Sequence, residues 1–353
     1  MTLPTITPDL PGIGGTLKQT PEHFVVEEIP LYEASGDGDH LYVNLTRRGW
    51  NTRDVVTALA RIFGLHADDI GFAGLKDRQA LTTQTFSLLR VPAEDAAIRI
   101  GAELPFQVNW VGRHRNKLRT GHLLGNRFAV FIADVAPDAL PRAEAVAAAL
   151  RTRGLPNFFG VQRFGQDGDN ALRGREALLG RGPRQRWLRR FLISAFQSDL
   201  FNRYLVQRIN LGAFDHLLAG DVAKKHGTGG LFVVEDLERE QPRFQAGEIS
   251  FTGPLFGAKM KAAAAEAAAL EADIWAQAAV PLQAFKKADV DGGRRLGRLL
   301  LEQIELDASA LLAANGGLWL RFTLPKGAYA TVVLREFMKN DVVLGEEDES
   351  DEA

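Results

Sequence analysis

The sequence predicts a mixed α/β protein in which a sheet-based domain is interrupted by a largely helical insertion. Three observations favour this fold class. Strand-like and helix-like segments alternate before Gly154, the periodic segments from about 155 to 300 are mostly helical, and strand patterns return after residue 318. The simplest arrangement is that the end of the chain completes the first sheet.

The first elements are predicted from periodicity and end signals. Residues 22–28 and 40–45 have strand patterns, and the second alternates so that one face should be buried and the other exposed. Asn51 is typical of a helix N-cap and Gly64 of a helix end, so we expect a helix between them. Residues 81–89, rich in threonine and ending in an apolar run, are predicted as the next strand.

The rest of the chain is predicted in the same way. Gly125-Asn126 is a turn signal that should open a strand over residues 127–132. Gly154, Pro156 and Asn157 are predicted to turn the chain, and the periodic segments after them are mostly helical. The remaining predictions are helices over 141–153, 187–209 and 262–278 and strands over 318–324 and 329–333.

Composition limits the function classes. The chain has 353 residues, enough for more than one domain, and its 46% hydrophobic and 24% charged residues are ordinary for a soluble protein. The absence of cysteine excludes disulfides, thiolate metal sites and cysteine nucleophiles, and the seven histidines form no metal-binding motif, so we expect no metal. Neither a signal-peptide pattern nor a membrane-length apolar run is present, so we expect a cytoplasmic protein.

The formal net charge of −2 hides an uneven distribution. Six acidic residues lie between 346 and 352, in what is predicted to be a disordered tail, and the rest of the chain is slightly basic. Cations cluster at 113–119 and 173–190, as expected for a groove that binds a polyanion. Solvated surface charge is the alternative interpretation of each cluster.

The segment Gly71-Phe72-Ala73-Gly74-Leu75-Lys76-Asp77-Arg78-Gln79-Ala80 is the strongest candidate for chemistry. It is a glycine-containing turn that presents one carboxylate, Asp77, between Lys76 and Arg78. Nearby cations keep an aspartate ionised, and an ionised aspartate can act as nucleophile, general base or metal ligand. The alternative is a solvated turn whose aspartate hydrogen-bonds its own backbone.

Other segments suit nucleic acid. Residues 156–165 combine aromatic rings, glycines and an arginine. Bases could stack on the rings while the arginine binds a phosphate. The alternative is a hairpin packed by its own phenylalanines. The Asn126 amide could bind a base edge, although a turn role is the alternative. By themselves Phe24, Phe128 and Tyr329 are consistent with strand core, and Lys18 with the surface.

Five motifs together resemble the signature of the TruD family of tRNA pseudouridine synthases. They occur in the family's order and, with Lys18, extend to about Glu336. The motifs are residues 71–80, Gly125-Asn126-Arg127-Phe128, residues 156–165, Ser198-Asp199-Leu200-Phe201-Asn202 and Lys326-Gly327-Ala328-Tyr329-Ala330-Thr331.

The resemblance implies a fold and domain boundaries. Members have a pseudouridine synthase catalytic domain on a mixed, mainly antiparallel sheet, with a family-specific domain inserted in it. Here the catalytic domain would comprise residues 1–155 and 304–344, the inserted domain 156–303 and the acidic tail 345–353. Residues 212–278 match the family only loosely.

The resemblance also implies roles. Asp77 would be the catalytic aspartate, and Lys18 its basic partner. Phe24, Asn126 and Tyr329 would contact the target nucleotide, and Phe128 would line the pocket. Some relatives have Phe where this chain has Tyr329, so the hydroxyl is not required. The substrate would be tRNA, with uridine-13 of the D-arm isomerised without cofactor, and nothing in the sequence demands more than a monomer.

Two other functions remain open from the residues. A non-catalytic tRNA-binding or chaperone protein would use the basic and aromatic segments and leave Asp77 idle. A glycosidic hydrolase would pair Asp77 with a second carboxylate, and Asp68 and Asp69 are the nearest upstream. For the isomerase itself, Asp77 could attack C1′, attack C6, or remove the C2′ proton.

Overall fold

The computed structural model describes residues 3–17, 20–165, 167–311 and 316–340. The predicted acidic tail, 345–353, lies outside these ranges. In chain order the strands are β1 (Gly14–Leu17), β2 (Phe24–Pro30), β3 (His40–Arg48), β4 (Ile70–Phe72), β5 (Leu81–Leu89), β6 (Gln107–His114), β7 (Leu123–Val135), β8 (Leu155–Pro156), β9 (Val222–Lys225), β10 (Leu231–Val233), β11 (Ile249–Leu255), β12 (Gly293–Leu296), β13 (Arg298–Leu299), β14 (Ile304–Asp307) and β15 (Gly317–Pro325). The helices are α1 (Thr52–Phe63), α2 (Ala96–Glu103), α3 (Ala139–Arg153), α4 (Asn170–Leu178), α5 (Arg186–Asn210), α6 (Leu237–Gln245), α7 (Ala265–Ala278), α8 (Gln283–Lys287) and α9 (Ala330–Met338).

The main sheet has nine strands, and its central path runs β14-β15-β7-β2-β5-β3-β6. Its pairs are antiparallel except β2 with β5, so the mixed, mainly antiparallel class is confirmed. β15 pairs with β7 over its full length, from Gly317 opposite Ala133 to Pro325 opposite Gly125. The end of the chain therefore completes the first sheet.

The local end signals are found where they were predicted. The Asn51 side chain accepts a hydrogen bond from the Asp54 backbone N–H at 2.8 Å, and Gly64 ends α1 with φ of 66°. The strand predicted over 81–89 is β5, and the helices predicted over 141–153, 187–209 and 262–278 are α3, α5 and α7.

Other local predictions are wrong. Residues 329–333, predicted as a strand from their β-branched run, begin helix α9 instead, because burial of that run in the core outweighs its strand propensity. β3, predicted to be half-buried, is buried on both faces, since Tyr42 and Asn44 are covered as well. The Tyr42 hydroxyl donates to the Asn116 carbonyl at 2.9 Å, and the Asn44 amide donates to Thr85 Oγ1 at 2.9 Å.

The segment between β8 and β14 contains helices α4 to α8, as expected of a largely helical insertion. It also contains a four-stranded sheet of order β10-β9-β11-β12, which the sequence did not predict; three of its strands have only three or four residues. Two buried ion pairs, Arg208–Asp221 and Arg294–Glu271, each at 2.7 Å, lie within it. No helix in the described ranges is both long and apolar enough to cross a bilayer.

One face of the main sheet carries two apolar clusters with polar residues between them. The first cluster joins β7 and β15 to α3 and α9 and continues into α5 of the insertion. The second packs α1 and α2 on β3 and β5. Between them, Glu28, Arg47, Thr82 and Gln84 are buried on the same face. The fold therefore places a polar strip across the middle of the sheet.

Gly125-Asn126 does not form the predicted turn, because both residues lie inside β7. A Cβ on Gly125 would lie 2.1 Å from the Leu324 carbonyl oxygen, so glycine is needed for the close approach of β15.

We expect Gly125→Ala to destabilise the protein by about 1–3 kcal/mol, because the neighbouring backbone must move. Gly101 is the matched control, since it is helical and a Cβ there meets nothing within 4 Å. Gly101→Ala should instead stabilise by about 0.5–1 kcal/mol. Urea denaturation measures both changes, and equal effects at the two sites would contradict the interpretation of Gly125.

Candidate active site

The Asp77 turn, residues 73–79, lies between β4 and β5 over the polar strip of the main sheet. Its backbone is held by side chains of the scaffold. The Lys76 N–H donates to Thr52 Oγ1 at 2.9 Å, and the Gln84 side-chain amide donates to the Gly74 carbonyl at 2.5 Å. Thr52 Oγ1 in turn donates to Gln84 Oε1 at 3.2 Å. The start of α1 and the middle of β5 thus fix the turn together.

The Lys76 side chain enters the sheet and forms an ion pair with Glu28. Lys76 Nζ lies 3.1 Å from Glu28 Oε2, and the two side chains are 5% and 2% exposed. The Gln84 amide approaches the same carboxylate oxygen at 3.4 Å, and Arg47 Nη2 donates to Gln84 Oε1 at 2.9 Å. Burial lowers the pKa of Arg47 to about 10, against the opposing charge of Glu28. We call Glu28, Arg47, Thr52, Lys76 and Gln84 the buried network.

Lys76 and Arg78 flank Asp77 in the chain, and their side chains make the following contacts. Lys76 points to Glu28, and Arg78 Nε donates to the Gly49 carbonyl at 3.3 Å from an exposed position. Both cations have partners elsewhere in the scaffold. Asp77 itself is partly exposed, and its Oδ1 accepts the Gln79 N–H at 2.9 Å. That local bond helps to orient the carboxylate.

Asn126 lies next to the buried network. It is opposite Glu28 across the β2–β7 pair and opposite Leu324 across the β7–β15 pair, so these side chains share a face. The Asn126 Oδ1 atom is buried and has no hydrogen-bond partner among the described residues. Buried polar atoms are almost always paired, so this acceptor is available to a ligand. Because Glu28 holds Lys76, the register brings Asn126 and the Asp77 turn to the same end of the strip.

The two predicted phenylalanines line the same face. Phe24 and Phe128 lie in β2 and β7, both are buried, and their ring centroids are 6.2 Å apart in an edge-to-face arrangement. Phe128 also stacks on Phe322 of β15 with centroids 5.3 Å apart. These rings form an apolar wall beside Asn126.

Tyr329 lies at the N-cap of α9, not in the strand core as expected, and it is partly exposed. Its ring is 6.1 Å from that of Phe159, at 60°. A Cβ on Gly160 would lie 2.7 Å from Tyr329 Cδ1, so the glycine allows the ring to pack on this backbone. Residues 156–165 comprise the last residue of β8 and a single 3-10 turn, Val161–Phe164, and they do not form a hairpin.

The other candidates are placed as follows. Lys18 lies outside the described residues. Asp68 and Asp69 occupy a 3-10 turn, Ala67–Asp69, before β4, at the end of that strand away from the Asp77 turn. Within the described part of the chain, no three His, Asp or Glu side chains are grouped to hold a metal ion.

The basic clusters are partly neutralised. In the first, both Nε and Nη2 of Arg115 bind the Asp37 carboxylate. In the second, at the α4–α5 hairpin, Arg181 pairs with Glu176 at 2.6 Å and Arg190 with Asp289 at 3.5 Å. Among the described residues, exposed cations without a carboxylate partner remain at Arg119 in the first cluster and at Arg184, Arg186 and Arg189, around the 45% exposed Trp187, in the second.

Sequence reasoning missed Glu28, Gln84 and Arg47. One signal was available for Glu28, because it continues the alternation of Phe24 and Val26 on the apolar face of β2. A carboxylate at such a position requires a buried partner. The identity of that partner, Lys76, depends on a turn 48 residues away in the chain.

Lys76→Met should destabilise the protein by about 3–5 kcal/mol, because Glu28 would be left buried and unpaired. Adding Glu28→Gln should recover part of the loss, since neither charge then remains. The matched control is the neighbouring exposed pair Glu27–Arg127, at 2.5 Å, where Arg127→Met should cost less than about 1 kcal/mol. Urea denaturation measures each step, and equal costs at the two pairs would contradict the role of the buried network.

Comparisons with known proteins point to one family. The family model of tRNA pseudouridine synthase D (TruD) matches residues 3–182 and 183–337. The chain is 45% identical to tRNA pseudouridine synthase D of Anaeromyxobacter sp. strain Fw109-5, over 98% of this chain and 99% of the relative. It is 44% identical to a tRNA pseudouridine synthase D of Thermus thermophilus, over 95% of this chain and 92% of the relative.

A crystal structure assigned as TruD from Methanosarcina mazei has the same fold. The TM-score is 0.78 at 24% identity, covering 96% of each chain. The sequence match over almost the whole length shows the family: this chain belongs to the TruD family of tRNA pseudouridine synthases.

Proposed function

We propose that this protein isomerises uridine to pseudouridine in tRNA, with Asp77 as the catalytic carboxylate. The observation that carries the proposal is the anchoring of the Asp77 turn by the buried network, next to the unpaired acceptor of Asn126. The names of the relatives give the substrate class. Residues 156–303 would be the family-specific domain inserted in the catalytic domain 1–155 and 304–344.

The chemistry needs little beyond one positioned carboxylate. The N1–C1′ bond breaks, the base turns, C5 bonds to C1′, and the proton lost from C5 is balanced by one gained at N1. The product is an isomer, so no oxidant or reductant is consumed. An ionised Asp77 can attack C1′, attack C6, or take the C2′ proton, and each route needs its negative charge. Lys18 is proposed as its basic partner from the sequence motif alone.

The target base must leave the RNA helix, which costs a few kcal/mol. Stacking on an aromatic ring returns about 1–3 kcal/mol per base. Tyr329, partly exposed at the start of α9, would provide such a ring, and Phe24 and Phe128 would supply the apolar wall. Asn126 Oδ1 would accept the uracil N3–H, while the amide group of the same side chain donates to a carbonyl of the base.

The finer points of the proposal come from the family motifs. The modified residue would be uridine-13 of the D-arm, and the protein would act as a monomer in the cytoplasm without a cofactor. A tRNA-binding protein with an idle Asp77 is the alternative, and product formation separates the two. Release of free uracil would instead indicate a hydrolase.

Asp77→Asn should keep tRNA affinity while lowering the rate of pseudouridine formation by at least a factor of about 100, because an amide is a poor nucleophile and base. Chemical labelling of pseudouridine in the tRNA product measures the rate, and filter binding measures affinity. Asp68→Asn, on an exposed turn, is the control and should be fully active. A near-normal rate for Asp77→Asn would overturn the assignment.

Affinity for tRNA should fall steeply with salt, by about 0.9 in log K per log unit of salt for each phosphate neutralised. Arg186→Gln should reduce that slope by about one. Arg115→Gln should change the slope less, because Asp37 already binds this guanidinium. A flat salt response of the wild-type protein would argue against a polyanionic substrate.

A further inference from the structure

Two guanidinium groups lie beside Tyr329 on the side of the insertion. Arg163 belongs to the 3-10 turn Val161–Phe164, and Arg295 to β12. Burial lowers the pKa of Arg295 to about 10, with Tyr329 raising it and the charge of Arg163 lowering it further. Burial also lowers the pKa of Arg163, against the effect of Tyr329. Tyr329 therefore lies close enough to affect the pKa of both guanidinium groups, and Arg163 lies close enough to affect the pKa of Arg295.

Arg295 is held by neutral groups from two parts of the chain. Its Nε donates to the Asn157 carbonyl at 3.1 Å, and its Nη2 donates to Asn157 Oδ1 at 2.6 Å and to the Gly327 carbonyl at 2.7 Å. The guanidinium carbon lies 3.9 Å from the centre of the Phe159 ring. These contacts fix the plane and direction of the guanidinium group before any ligand binds.

The remaining nitrogen of Arg295 is available. Nη1 donates no hydrogen bond to any residue that the structure describes, and the side chain is partly exposed. A Cβ on Gly327 would lie 3.7 Å from Nη1, so the glycine leaves this side of the guanidinium open. Arg163 is held in a similar way by α5, through the hydroxyls of Ser194 and Ser198.

Other buried arginines of the insertion show what is unusual here. Arg208 and Arg294 each bind a carboxylate at 2.7 Å. Arg298 has neutral partners, the Phe244 and Ile249 carbonyls and Ser250, but it is 3% exposed, so no ligand can reach it. Arg295 combines neutral partners with an accessible nitrogen, next to the ring proposed to bind a nucleotide.

We propose that Arg295, with Arg163 near it, binds a phosphodiester group of the RNA next to the target uridine. The inference rests on the proposed function, because it places the target nucleotide against Tyr329. A nucleotide bound against Tyr329 has a phosphate on each side. Its negative charge would therefore lie near Arg163 and Arg295. The two N–H groups of Arg295 Nη1 can donate to a phosphate oxygen, and the negative charge of the phosphate compensates for the cost of burying the cation. A preoriented arginine loses little freedom when it binds.

The first test is the salt dependence of tRNA binding by Arg295→Gln. We expect about tenfold weaker affinity near 0.1 M salt and a log–log slope reduced by about one. Arg298→Gln is the matched control, since it removes a buried insertion arginine with similar neutral partners. It should lower thermal stability yet leave the slope unchanged. An unchanged slope for Arg295→Gln would show a structural role only and overturn the proposal.

The second test measures the coupling between Arg295 and a single phosphate, because a general loss of stability in a variant would weaken binding equally at every linkage. Single neutral methylphosphonate linkages are placed along the D-arm of the tRNA, and binding is compared for wild type, Arg295→Gln and the charge-preserving Arg295→Lys. We expect one linkage flanking the target uridine to weaken wild-type and Arg295→Lys binding but to have little effect on Arg295→Gln. Additive effects at every linkage would overturn the phosphate site.

These readouts separate the two hypotheses. Coupling between Arg295 and one linkage, without pseudouridine formation, would support the phosphate site while the proposed activity fails. Pseudouridine formation without any such coupling would support the activity and exclude the site.

Discussion

The position of the Asp77 carboxylate depends on one buried interaction, the ion pair between Glu28 and Lys76. A lone charge in this environment would be very unfavourable, so each member requires the other. Glu28 lies in a strand of the main sheet, and Lys76 lies in the turn next to Asp77. The pair therefore joins the turn to the scaffold at one point, and Thr52 and Gln84 hold its backbone on either side.

The sheet can hold this polar network because its apolar residues are divided into two clusters. One is covered by α1 and α2, and the other by α3, α9 and the insertion. A continuous apolar face would have no place for Glu28, Arg47 and Gln84. The gap between the clusters gives the Asp77 turn polar partners below it, while Phe24 and Phe128 supply an apolar wall at the side. Polar and apolar surfaces thus meet beside Asn126, where we propose that the target nucleoside binds.

The insertion packs closely against the main sheet. The apolar cluster runs from β7 through Leu155 and Phe158 to α5 without a break. Arg295 adds polar contacts to Asn157, at the start of the insertion, and to Gly327, in the turn before Tyr329. One side chain of the insertion therefore contacts both segments. Interactions made by the insertion can therefore influence the position of Tyr329 directly.

The sequence alone determined the class of fold, the helix from its Asn51 and Gly64 signals, and the candidate residues Asp77, Asn126 and Tyr329, because these follow from local periodicity and motifs. It predicted the wrong local structure for Gly125-Asn126 and for 329–333, where a neighbouring strand and core burial override local preference. The partners of Lys76, Glu28 and Arg295 were decided only by the tertiary structure. Each contact joins residues far apart in the chain, and no local sequence pattern specifies which buried polar groups will pair.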